Sequence, residues 1–170
     1  MPTPTDGRTR PPTSGDERAQ LEGFLDFQRQ TLLWKCAGLT AEQLRERPLP
    51  PSVLSLHGLV RHLVDVERSW FRERFLGEDV PDLYGVGERP DADFLETAEA
   101  DPEADLALLR GEIAAVREAV RDRDLDSTFV SPRGQVLSLR WVYLHMIEEY
   151  ARHLGHADLI RELIDGVTGT

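Results

Sequence analysis

His145, Glu149 and His153 follow one another at intervals of four near the C-terminus, and His156 comes three residues later. Residues four apart stack on one face of a helix, and the surrounding sequence reads as an amphipathic helix. At about 100° per residue the four side chains fall within roughly 80° of arc, and the apolar Val142 and Ile160 point the same way. Ionisable groups therefore share the face that should be buried. Burying a carboxylate and imidazoles costs on the order of several kcal/mol unless they are paired or bound to a metal. This face reads as most of a metal site.

Glu149 and His153 supply two donors with compatible direction, so a third must come from another element. The histidines available are His57 and His62. His62 shares the helical face of Leu59, Val66 and Trp70, which should meet the core, whereas His57 falls in the first turn and is expected to be exposed. His62 is thus the better third ligand. Residue types and spacing alone leave two explanations of the trio standing, a divalent-metal site and a hydrogen-bonded core cluster.

The elements that must position these residues are helical. Residues 1 to 15 hold four prolines with Thr, Ser and Gly and are expected to form a flexible arm before a single domain over 16–170. Leu21, Phe24, Leu25, Leu32 and Leu33 recur at helical spacing from Asp16 to Gly38 and mark helix one. Thr40 and Gln43 fit a capping box for a short helix stopped by Pro48, Pro50 and Pro51. Helix two should run from Ser55 to Leu76, with Leu56, Leu59, Leu63, Val66 and Trp70 inward and Arg61, Asp65, Glu67 and Arg72 mostly outward. A connection rich in Gly, Pro and Asp over 77–101, long enough for a crossover and with a helical turn at Ala92 to Thr97, leads to helix three from Asp101 to about Arg123. Two short extended pieces around Pro132, Arg133 and Gly134 suggest a small hairpin, and Ser138 then caps helix four, which continues to Gly166. The expectation is an all-α four-helix bundle with a long crossover between helices two and three and a small hairpin before helix four.

Composition narrows the function classes. A net charge of −11 repels a phosphate backbone, and the arginines are scattered, so nucleic acid is not an expected partner. No apolar run approaches the length of a membrane span. The first residues lack the apolar stretch of a signal peptide, and the lone Cys36 cannot form an intrachain disulfide, so a cytoplasmic setting is expected.

The segments LHGLVRHLVDVERSWF (56–71) and LRWVYLHMIEEYARHLGHADLIRELIDG (139–166) resemble the DinB-like four-helix bundles. They are most similar to the branch that includes mycothiol-dependent maleylpyruvate isomerase and many actinobacterial proteins of unassigned function. The resemblance covers roughly residues 17 to 166 and implies that one histidine of the second helix and two residues four apart on the last helix hold a divalent metal. Carried onto this sequence, the ligands are His62, Glu149 and His153, with glutamate where many members have histidine and the isomerase branch has glutamate. It further implies zinc first, with nickel also compatible, and a small thiol such as mycothiol as cosubstrate. A partner electrophile follows in an S-transferase or isomerase type of reaction, and a homodimer is also implied. A metal-dependent hydrolase and a non-catalytic metal- or ligand-binding bundle are the alternatives. The chain is about the length of the bundle alone, without the further domain of the isomerase, so isomerisation of maleylpyruvate itself is not expected.

The remaining candidates carry bland expectations. His145 and His156, a turn outside the ligand pair, either support the ligands, touch substrate or are simply half-buried. No general base is assigned. Trp70, Trp141, Tyr143 and Tyr150 are expected in the core, Cys36 as a small buried hydrophobe, and Arg61, Glu148 and Arg152 on solvated faces.

Overall fold

The computed structural model describes residues 7–85 and 91–169. Each main helix begins where a side chain can satisfy its free N–H groups. Asp16 accepts from the Ala19 amide at the start of α1 (Glu17–Cys36). Thr40 and Gln43 form the reciprocal capping box of α2 (Ala41–Arg45). Ser55 accepts from the Gly58 amide to open α3 (Leu56–Glu67). A short α4 (Ala92–Leu95) lies within the long connection. Asp101 then caps α5 (Pro102–Val120), which has proline in its first turn. Strands β1 (Thr128–Val130) and β2 (Val136–Ser138) pair antiparallel with Phe129 opposite Leu137. Ser138 accepts from the Trp141 amide at the start of α6 (Leu139–Asp165), and Gly166 ends it at a φ of 75°. A left-handed residue there is what glycine supplies without steric cost.

The expected second helix changes character halfway. Beyond Glu67 the chain continues without a break as a π-helical segment, Arg68–Phe75, in which the Leu76 amide donates to the Phe71 carbonyl at 3.0 Å. Such segments are rare and recur at functional sites, and this one carries Trp70 and Arg74. The third helix stops at Val120, three residues before the expected end.

Helices α1, α3, α5 and α6 form the bundle, with α1 packed chiefly on α6 and α3 chiefly on α5. Leu25, Leu32, Leu59, Leu63, Leu109, Val142, Met146 and Ile160 fill the interior with essentially no exposure. The α4 turn sits directly on α3: a Cβ at Gly58 would lie 2.9 Å from Phe94 Cδ1. That close approach brings the crossover over His62. Of the expected arm, residues 1–6 lie outside the described residues. In the remainder Arg8 is buried, donating to Thr31 Oγ1 at 2.9 Å, with its guanidinium over the Trp34 ring.

Several polar residues of α3 are not where an amphipathic helix would put them. His57, expected to be exposed, is 1% exposed, with Nε2 2.7 Å from Asp105 Oδ2. Arg61, Asp65 and Glu67, expected to face outward, are all buried. The reason is that α3 lies inside the bundle, where α1, α2, α4, α5 and α6 all touch it. Each charge is compensated instead. Arg61 shares Asp105 with His57 and Tyr84, and Asp65 accepts from the Leu83 and Tyr84 amides at 3.0 Å, tying down the crossover. Glu67 takes two hydrogen bonds from Arg29, at 2.7 and 2.6 Å, and one from Tyr150 at 2.9 Å, which joins three helices at the centre of the bundle.

Candidate metal centre

His62 on α3 faces Glu149 and His153, one turn apart on α6. One donor atom from each of the three lies within 4.8 Å of the others. The two imidazole rings meet edge to face with centroids 4.6 Å apart. Helix packing alone achieves this, since the core leucines on either side of His62 and the buried Met146, Tyr150 and Leu154 lock the two helices together.

Each member is held differently. His62 Nδ1 lies 2.8 Å from Asp93 Oδ2, and the Phe94 ring stacks on the imidazole at 5.1 Å. A carboxylate at Nδ1 favours the proton there and frees the Nε2 lone pair, an arrangement that histidine ligands of metals use widely. Among the described residues the Glu149 carboxylate has only loose neighbours, His145 Nε2 and His153 Nε2, each at 3.5 Å. Among the described residues neither nitrogen of His153 makes a hydrogen bond: Nδ1 is buried without a partner, and Nε2 has only that distant carboxylate. An uncommitted imidazole and an untied carboxylate facing a pre-oriented imidazole are what a cation site needs, and the set fits a divalent transition metal.

His153 is also electrically prepared. Burial, reinforced by His62, His156 and Arg152 and opposed by Asp93, lowers its pKa to about 4. The ring is therefore neutral at physiological pH, the form that binds metals. In the unfolded chain it titrates near 6.5. Between the two values only the unfolded state holds the proton, so this group makes folding stability rise with pH through that window and stay level above it. Denaturant melts of metal-free protein are expected to lose up to about 3 kcal/mol from this group as pH falls from about 6.5 to about 4. His153→Gln should flatten that part of the profile, and an unchanged slope in the variant would contradict the assignment.

The other candidates separate. His145 is not one of the three converging donors but touches the trio through Glu149, and its ring is stacked on Trp141 at 4.9 Å and edge-on to Trp70 at 4.4 Å. His156 lies behind His153 with ring centroids 5.5 Å apart. Tyr143 and Tyr150 are core residues as expected, but Trp70 and Trp141 line a surface cavity. Glu148 and Arg152 are exposed and paired to each other, whereas Arg61 is buried. Cys36 is buried, and desolvation pushes its thiol up to about 12, so it is no nucleophile. Asp93 was not legible from the sequence. The only hint was the helical turn within an overlong connection, since long connections are often functional.

A bundle of four helices with a long α3–α5 crossover and a His, Glu, His set facing across α3 and α6 is the layout of a DinB-like protein. Two solved structures share the fold. A conserved protein from Enterococcus faecalis is 15% identical with a TM-score of 0.63, over 91% of this chain and 100% of the other. YfiT from Bacillus subtilis, described as a probable metal-dependent hydrolase with an unusual four-helix bundle topology, is 20% identical with a TM-score of 0.63, over 91% and 92%. A profile of the mycothiol-S-transferase family matches residues 20–166, and the chain belongs to that family. No curated protein matches it. Among the described residues no helix is long and apolar enough to cross a membrane.

Proposed function

We propose that this chain is a metal-dependent enzyme that transfers or rearranges groups through a low-molecular-weight thiol. The observation that carries the reading is the convergence of three donor atoms within 4.8 Å, one of them oriented from behind by Asp93. His62, Glu149 and His153 would hold the ion, the number of protein donors that catalytic zinc sites use. A divalent ion held there supplies Lewis acidity, making a small thiol more acidic and therefore more nucleophilic at neutral pH. Asp93 keeps the His62 tautomer, and Phe94 stacks on that ring. Membership of the mycothiol-S-transferase family supports mycothiol or a similar molecule as the thiol.

A thermal-shift panel of divalent metals crossed with thiols tests this. A ligand that binds only the folded state stabilises it by about 2.7 kcal/mol at a hundred times its Kd. For a chain of this size zinc or nickel should therefore raise Tm by roughly 5–10 °C, with mycothiol adding a further rise only in the presence of metal. Equal thiol shifts with and without metal would remove the thiol from the metal centre. Metal shifts with no thiol effect, together with metal-dependent ester or amide hydrolysis, would replace the reading by the hydrolase one.

A further inference from the structure

Trp70 and Arg74, four residues apart in the π segment, wall two cavities at once. The first, of about 400 Å³, opens beside His62 and Asp93 and is acidic, with Asp65, Asp82 and Asp91 on its walls. The second, also about 400 Å³, lies between the π segment, the β1–β2 turn and the start of α6, and its chemistry is the reverse. Its apolar walls are Trp70, Trp141, Leu137 and Pro132, its cations are Arg74 and Arg133, and among the described residues no Asp or Glu lines it. In a chain of net charge −11 this is a local inversion of sign.

The two arginines are available. Among the described residues neither makes an ion pair, although the Arg74 charge is felt by Asp82 in the neighbouring cavity. Arg74 is pre-positioned, its guanidinium 4.2 Å from the centre of the Trp70 ring. Beside apolar walls a guanidinium fork binds a carboxylate more strongly than it would in open water, and with fixed geometry. His145 also lines the cavity, packed against both Trp70 and Trp141, with Nε2 3.5 Å from Glu149 Oε1. A molecule filling the cavity would therefore end one residue away from the ligand set.

We infer that this second cavity binds a planar aromatic carboxylate, its flat body against Trp70 and Trp141 and its carboxylate on Arg74 and Arg133. The volume suits such a molecule. Naming the bound acid as the partner that meets the thiol rests on the function proposed above, but the binding itself does not require a metal.

Calorimetric titration of the full chain with trans-cinnamate and with its neutral counterpart, cinnamyl alcohol, decides the matter. Saturable binding of cinnamate is expected, with the alcohol about tenfold weaker. Arg74→Gln and Arg133→Gln should each cost cinnamate roughly tenfold and leave the alcohol unchanged, while Trp141→Leu weakens both. Chelator-treated protein should keep the parent affinity, so the pocket stands or falls independently of the metal centre. Absence of saturable cinnamate binding, equal affinities for acid and alcohol, or full cinnamate affinity in both arginine variants would overturn the inference. So would loss of binding on chelation, which would place the carboxylate at the ion instead.

Discussion

His153→Ala is expected to lower the affinity for zinc or nickel by at least about a hundredfold, because it removes one of three donors, and to abolish thiol-dependent turnover while the bundle remains folded. Loss of an orienting partner rather than a ligand costs about 10–100-fold in comparable sites, so Asp93→Asn should fall between the parent and His153→Ala. Folding should survive because His153 forms no hydrogen bond among the described residues, and its side chain is already partly exposed, at 12%. Competition against a chromogenic chelator gives the affinities, and circular dichroism at neutral pH checks the fold. His153→Ala binding within about threefold of the parent would mean that the ion, if bound, sits elsewhere.

Arg29→Ala is expected to have the largest effect on stability of any single change in the bundle. Arg29 and Glu67 face each other in the centre with side chains 4% and 0% exposed. Burial works against the Arg29 charge, and Glu67, joined by Tyr150 and Asp26, more than offsets it, raising the guanidinium pKa. Among the described residues, removing the arginine leaves Glu67 with only the Tyr150 hydroxyl, an uncompensated buried charge that costs about 3–5 kcal/mol. For a domain of this length that is a drop of roughly 10–15 °C in Tm. Replacing both partners, Arg29→Met with Glu67→Leu, should recover most of the loss, since the cost lies in the widowed charge rather than in the absence of a bond. A melting temperature within about 2 °C of the parent for Arg29→Ala would show that the pair contributes little.

The two cases mark how far the sequence reaches. Glu149 and His153 are legible because both lie on one helix, where spacing alone fixes their relative direction. His62 is legible from its own helical face. Asp93 is 31 residues from its partner, and only the packing of α4 against Gly58 brings it there. The buried charges of α3 escape for a related reason. A periodicity argument assumes one wet face, whereas α3 is packed against α1, α2, α4, α5 and α6, so Glu67 and His57 are inside with partners drawn from α1 and α5. The π segment has no compositional signature either, and it sets Trp70 and Arg74 along the cavities rather than in the core.

The proposed function requires a single divalent ion held between α3 and α6. Elemental analysis of untagged protein, loaded with zinc or nickel and then freed of unbound ion, tests it most directly. About one equivalent per chain in the parent and a near-complete loss in His153→Ala is the predicted result. Less than about a tenth of an equivalent of either metal in the parent would contradict it.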